Sequence, residues 1–255
     1  SVTLDPIKWK ELMKHSFLKF GNWCRSTEMA LYAIPVHIGL LYNIKLLFYG
    51  ENFLYTVAHG TKEEGDSWDA TNIYLAGNTT KGGPKDLKYK NASKLDYLFY
   101  NYPSIKDVKK SKMKIIYLGW FMKEWYGLYN ANFSMKRGME KNENNKPSET
   151  GDIWGHSALD EEHSIVNQHI KYLKRGYGRV TDQVCESIHQ GLITREEGIN
   201  LLEKFDGKVS KEYIERFCKY LDISLRTYQN TIDKFVNRDL FEKINGKWVR
   251  KFKIS

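Results

Sequence analysis

Two short stretches combine residue types able to handle a polar or anionic ligand. Gly176-Tyr-Gly-Arg-Val-Thr-Asp182 joins two glycines, one fixed cation and a Thr-Asp pair. The glycines allow a tight backbone. Arg179 supplies a planar fork of donors, and a helix opened by Thr181-Asp182 would point its first N–H groups outward. A phosphate or sugar carboxylate suits that arrangement. The same residues also read as a helix linker with an ordinary Thr/Asp cap, and spacing does not separate the two. The second stretch, Gly50-Glu51-Asn52, follows a short apolar strand directly. Ligands of open α/β sheets bind beyond the carboxyl ends of strands, so Glu51 and Asn52 are placed for a polar ligand. A strand-ending turn in which Asn52 bonds its own backbone is the other reading.

Other reactive types are scattered. Cys24 and Cys185 each stand alone, which is the habit of a small buried apolar residue. The seven histidines show no HExxH or comparable ligand spacing. His163 and His169 do not share a helix face at i,i+4, and His37 sits inside an apolar stretch as a core histidine would. No metal site is expected. Lys106–Lys114 reads as a solvated loop. The C-terminal helices followed by a basic hairpin resemble a winged helix-turn-helix in outline, but no Arg/Asn/Gln cluster marks a recognition face.

Elements that would carry these residues are well punctuated. Asp5 and Pro6 open a helix whose apolar residues Trp9, Leu12, Met13, Phe17 and Phe20 recur at helical spacing until Gly21. Ser26 or Thr27 is expected to cap an apolar helix that Pro35 kinks or divides. Strands are expected at 45–49 and 114–118, each apolar and each ending near a glycine. Apolar helix beside apolar strand is the pattern of an α/β unit. Residues 53–112 are poorly periodic and read as an irregular insertion, and 142–151 as a mobile polar segment. Helices are then expected at 160–174, 182–190, 195–205, 211–221 and 225–236. Thr194 with Glu197 forms a capping box before the third of these, and Ser210 and Ser224 cap the last two. Asn245-Gly246 predicts a terminal hairpin. The expected organisation is an α/β portion over 1–157 and a helical domain over 158–255.

Composition limits the classes. The chain has 255 residues, 36 of them aromatic (Trp 7, Tyr 17, Phe 12), and a formal charge of +9. That aromatic content excludes global disorder, and 3 unspaced cysteines exclude a disulfide scaffold. Met29–Tyr42 is apolar but holds His37 and Pro35, and is shorter than the ~20 residues a membrane span needs. The N-terminus carries no secretory pattern. A cytoplasmic protein without a membrane partner is expected, and its basic charge fits polyanionic partners such as nucleotides, sugar nucleotides or nucleic acid.

Several blocks resemble one family. Tyr172-Leu-Lys-Arg-Gly-Tyr-Gly-Arg-Val-Thr-Asp-Gln-Val-Cys185, Ile193-Thr-Arg-Glu-Glu-Gly198 and Lys204-Phe-Asp-Gly207 are similar to N-acetyl sugar amidotransferases of bacterial surface-polysaccharide synthesis. Phe20-Gly-Asn-Trp-Cys24, Tyr32-Ala-Ile-Pro35 and Leu47-Phe-Tyr-Gly-Glu-Asn52 resemble the middle of the same proteins. They belong to the PP-loop ATP pyrophosphatase superfamily and include enzymes making acetamidino sugars for O-antigen (lipopolysaccharide) and pseudaminic-type acids. The resemblance implies the distal part of a parallel-sheet, adenine nucleotide α-hydrolase-like domain followed by a helical one. It implies ATP and Mg²⁺ as cofactors, a sugar or sugar-nucleotide substrate, and ammonia from a glutaminase/cyclase-like partner. An N-acetyl group would be adenylated and its oxygen replaced by ammonia. Glu51 and Asn52 would line the nucleotide/sugar cleft. Arg179, Thr181 and Asp182 would grip an anionic group, with Lys174 and Lys171 adding to the same field. Two features depart from the family. No Ser-Gly-Gly-x-Asp-Ser loop occurs in the chain, which reads as the distal part of a longer enzyme or a degenerate homologue. Thr27 stands where many relatives have a second cysteine. The alternatives are a nucleic-acid-binding helical module and a non-catalytic family remnant.

Overall fold

The computed structural model describes residues 1–50, 87, 93, 95–122, 124–157 and 159–254. Glu51, Asn52 and most of the expected insertion lie outside them. The chain divides into two compact units, Ser1–Lys19 with Trp23–Trp125, and Phe20–Asn22 with Tyr126–Ser255. Among the described residues it is mixed and helix-rich, with two small sheets.

In the first unit α1 (Pro6–Phe20) begins as expected, Asp5 Oδ1 accepting from the Ile7 and Lys8 amides at 2.8 and 3.3 Å. α2 (Arg25–Leu41) starts earlier than Ser26 or Thr27 could cap it, with Cys24 at the N-cap and no side-chain cap bond. It also runs through Pro35 without dividing. The carbonyl of Leu31 loses its donor there, and Leu31 is exposed, so water can serve it.

β1 (Leu46–Tyr49) pairs in parallel with β2 (Lys114–Tyr117), Leu46 opposite Lys114 and Tyr49 opposite Tyr117. Alternation sends Leu47, Tyr49, Ile115 and Tyr117 toward Tyr32, Ala33 and Val36 of α2, with Tyr49 stacked between Tyr32 and Tyr117 at 5.7 and 5.5 Å. Leu46 and Phe48 face outward, 43 % and 58 % exposed. The basic run is not a loop. Ile105–Ser111 forms α3, capped by Ser104, whose Oγ accepts from the Asp107 amide at 3.1 Å, and its lysines sit on the solvent side. His37 is half-buried and hydrogen-bonded to the Asn101 carbonyl at 2.7 Å.

The second unit contains α4 (Gly127–Met135), the short α5 (Pro147–Thr150), α6 (His163–Arg175), α7 (Arg179–His189), α8 (Arg195–Phe205), α9 (Lys211–Tyr220) and α10 (Leu225–Phe235). Val166, Ile170 and Leu173 form the inner stripe of α6, at the spacing one helix face requires. It packs on α9 and α10, while α7 packs on α8. The Thr194–Glu197 capping box is complete. Ser224 caps α10, whereas Ser210 makes no cap bond. Asn245 and Gly246, at φ +48° and +77°, join β3 (Phe241–Ile244) to β4 (Lys247–Arg250). Positive φ at both central residues is what a type I′ hairpin turn needs. Among the described residues, no helix is long and apolar enough to cross a membrane.

Gly207 is the tightest backbone position of this unit. Its φ is +73°, and a Cβ there would lie 2.2 Å from the Tyr172 ring, which packs edge-to-face on Phe241 at 5.1 Å. Gly207→Ala should therefore destabilise the protein by at least ~2 kcal/mol, from strained φ and overpacking together. Thermal denaturation followed by circular dichroism should show a melting temperature lower by roughly 5 °C. An unchanged melting temperature would mean that Tyr172 is free to swing away.

Candidate functional site

The Gly176–Asp182 turn is organised around a residue far along the chain. α7 begins at Arg179, earlier than the Thr-Asp pair, and its amino end is filled by the carboxylate of Asp206. Asp206 accepts from the Gly178 amide at 3.1 Å, the Thr181 amide at 3.3 Å and the Thr181 hydroxyl at 2.7 Å. It is only 8 % exposed. A negative group on these orphan amides satisfies them and opposes the positive end of the helix dipole. Gly178 is required for the approach, since a Cβ would sit 2.8 Å from Asp206 Oδ1.

Two residues of α6 set Asp206 in turn. His169 Nδ1 donates to the Gly207 carbonyl at 2.6 Å, which fixes the imidazole tautomer. Tyr172, one helical turn on, packs against Gly207 itself. Burial pushes the His169 imidazole below its ordinary range, and burial likewise lowers His156 and His163.

The remaining residues singled out by sequence fall in different places. Asp182 pairs with Lys171 at 2.5 Å, and Lys171 also lies over the Tyr177 ring. Lys174 donates to the Phe20 carbonyl at 2.8 Å and lies over the Phe235 ring. Glu51 and Asn52 are outside the described residues. Arg179 is half-buried, and its guanidinium has no hydrogen-bond or ion-pair partner among the described residues. It lines a cleft of about 610 Å³.

The far wall of that cleft is the polar stretch expected to be mobile, and it is tightly built. Asn145 donates from Nδ2 to the Asp152 carbonyl at 2.7 Å and accepts from the Thr150 hydroxyl at 2.8 Å. Asp152 Oδ1 accepts from the Trp154 and Gly155 amides at 2.8 and 3.2 Å, and from Gln183 Nε2 at 2.6 Å. Gln183 Oε1 accepts in return from the Ile153 amide at 3.0 Å. Gln183 lies one turn after Arg179 on α7, so the bonds that fasten the loop hold the helix turn that carries the arginine. Asn145, Thr150 and Asp152 escape a sequence reading because an amide, a hydroxyl and a short carboxylate in a Gly/Pro/Asn stretch look like solvated loop, and Gln183 because a polar residue on a helix looks solvent-facing. The spacing of Asn145, Thr150 and Asp152 around Pro147 and Gly151 is the one signal available. Among the described residues, no group of three or more His, Cys, Asp or Glu is placed to hold a metal ion.

Residues 152–254 match the family model described as "LPS biosynthesis protein WbpG-like, C-terminal domain". The matched stretch includes Arg179, Gln183 and Asp206. No curated protein matches the chain.

Asp206→Ala would strand two amides and a hydroxyl at the start of α7. Urea denaturation should show a loss of roughly 2–4 kcal/mol, and Asp206→Asn a smaller one. The three histidines give a further expectation. Because their folded pKa values are depressed, the unfolded chain takes up protons first as pH falls. Stability is retained above the unfolded histidine pKa and declines below it, by at most ~1.4 kcal/mol per pH unit for each histidine. Between pH 7 and 5 the decline should be shallower in His169→Gln. An equal slope would show that His169 is protonated in the folded protein.

Proposed function

We propose that this protein acts in lipopolysaccharide biosynthesis as an ATP-dependent amidotransferase that converts an N-acetyl group of a surface sugar to an acetamidino group. The observation that carries this reading is the family match over 152–254, which spans Arg179, Asp152, Gln183 and Asp206. The parallel β1–β2 pair with α2 on one face is compatible with the distal part of a PP-loop α/β domain. The wider resemblance of most of residues 1–52 and 113–240 to N-acetyl sugar amidotransferases adds the reaction type.

An acetamido oxygen is a poor leaving group until it attacks the α-phosphorus of ATP and pyrophosphate departs. Ammonia then adds to the former carbonyl carbon, the carbon–oxygen bond breaks, and AMP leaves. The nitrogen that replaces oxygen makes an amidine, which takes a proton at neutral pH. Orienting three reactants is the protein's main task. On this reading Arg179 holds an anionic group of the sugar substrate, while Thr181, Asp182 and Lys174 support the frame around it. Glu51 and Asn52, following β1, border the nucleotide. The cleft beside Arg179 does not fit ATP itself, because it offers one unpartnered cation among several carboxylates. A cytoplasmic site of action and ammonia from a glutaminase-type partner belong to the same proposal.

The test is turnover of an N-acetylated sugar nucleotide with ATP and ammonium, followed by mass spectrometry of the sugar. Arg179→Ala should lower kcat/KM by ~10²-fold or more, as loss of a preorganised charge contact does. Arg179→Lys should recover part of it. A folded Arg179→Ala protein with unchanged turnover would remove this residue from the site. Absence of ATP-dependent conversion by the wild-type protein would overturn the reading.

A further inference from the structure

Among the described residues, nothing closes the amino end of the 17-residue helix α2. Its first intrahelical bond runs from the Glu28 amide to the Cys24 carbonyl at 2.9 Å. The amides of Arg25, Ser26 and Thr27 precede that ladder, and no acceptor among the described residues takes them. Cys24 stands at the N-cap with φ −82° and ψ 0°, whereas a capping side chain reaches back from an extended residue.

Two hydroxyls on the same turn share this condition. Ser26 is 0 % exposed and its Oγ has no partner, and Thr27 Oγ1 is likewise buried without one. A buried helix serine usually relieves itself on the carbonyl four residues back, as Ser187 does on Gln183 at 2.8 Å. Ser26 does not. Helical side chains tilt toward the amino end, so the Ser26 hydroxyl is directed to the place the orphan amides face. Cys24, Arg25 and Thr27 are only partly buried, which leaves that place a route to solvent.

The donors decide what fits. Amides, hydroxyls, the positive end of the helix dipole and the charge of Arg25 all call for an anion. Glu28 does not serve as that anion. Its Oε1 accepts the Cys24 thiol at 3.6 Å and no amide of the turn, and burial pushes its carboxyl up, toward the uncharged form. A carboxylate offers two oxygens in one plane. A phosphoryl group offers three in a tetrahedral spread, which suits successive amides flanked by two hydroxyls. We infer that the amino end of α2 is a binding site for a phosphoryl group, held by the Arg25, Ser26 and Thr27 amides and the Ser26 and Thr27 hydroxyls. It lies wholly within the first unit, and it holds whether or not the amidotransferase reading does.

Inorganic phosphate is titrated into the isotope-labelled full chain at matched ionic strength, with sodium chloride as the blank, while the amide resonances of residues 24–29 are followed. Phosphate should shift the Arg25, Ser26 and Thr27 amides saturably, and chloride should not. Ser26→Ala should weaken phosphate binding roughly tenfold, the size of a hydrogen bond to a charged group. Its melting temperature should equal or exceed that of the wild type, because the hydroxyl removed has no partner. Thr27→Ser keeps its hydroxyl and should bind phosphate as the wild type does. Excess phosphate should raise the wild-type melting temperature and move that of Ser26→Ala less. AMP and a nucleoside-diphosphate sugar, run as parallel arms, assign the source. Tighter binding of either than of phosphate at the same amides makes the site part of a larger ligand's, and tightest binding of phosphate makes it a site for the free anion. Absence of a saturable shift means that water alone fills the turn, and overturns the inference. So does a Ser26→Ala protein that binds phosphate as tightly as the wild type, or that melts well below it.

Discussion

The carboxylate of Asp206 at the amino end of α7 is the contact from which the geometry of the second unit follows. A helix start leaves backbone donors without acceptors, and burial removes water as the remedy. Here one acidic side chain from a distant turn meets that need, provided that residue 178 has no side chain and residue 207 can adopt positive φ. The turn bearing Asp206 is itself held from α6 by the His169 hydrogen bond and the Tyr172 ring. So α6, the 206–207 turn and α7 form one connected frame. The consequence is that the helix amino end serves the protein's own carboxylate, while the arginine beside it remains available.

That arrangement divides labour within a segment of a few residues. Gly178 and Thr181 are structural, Asp182 pairs with Lys171, and Gln183 fastens the Asn145–Gly155 loop. Arg179 alone of this group faces the cleft without a partner among the described residues. A charge positioned by neighbours that are all otherwise committed loses little freedom when a ligand arrives, which is the physical meaning of preorganisation.

Much of the helical part could be read directly from residue patterns. The Asp5-Pro6 start, the Thr194–Glu197 box, the Ser224 cap and the Asn245-Gly246 turn all depend on local chemistry, and each forms as its residues dictate. The strands at 46–49 and 114–117 were legible as apolar runs bounded by turns, and their parallel pairing follows the α/β pattern. What eluded a local reading was set by distant partners. Asp206, some 25 residues beyond Thr181, decides where α7 begins. The Asn145–Asp152 network orders a stretch whose composition resembles a loose loop, because Gln183 supplies the missing donor and acceptor. α2 survives Pro35 because the affected carbonyl belongs to an exposed turn.

The terminal hairpin has a reach beyond its size. Asp233 of α10 takes hydrogen bonds from Lys243, Trp248 and Gln229, which hold its carboxyl below the usual range despite partial burial and clip the ribbon in place. Phe241, 1 % exposed, then braces the same Tyr172 ring that rests on Gly207. The last strands thus act as a buttress for a guanidinium they never touch. A lesion there would loosen the Tyr172 ring and the 206–207 turn it braces, with every residue of the cleft still present.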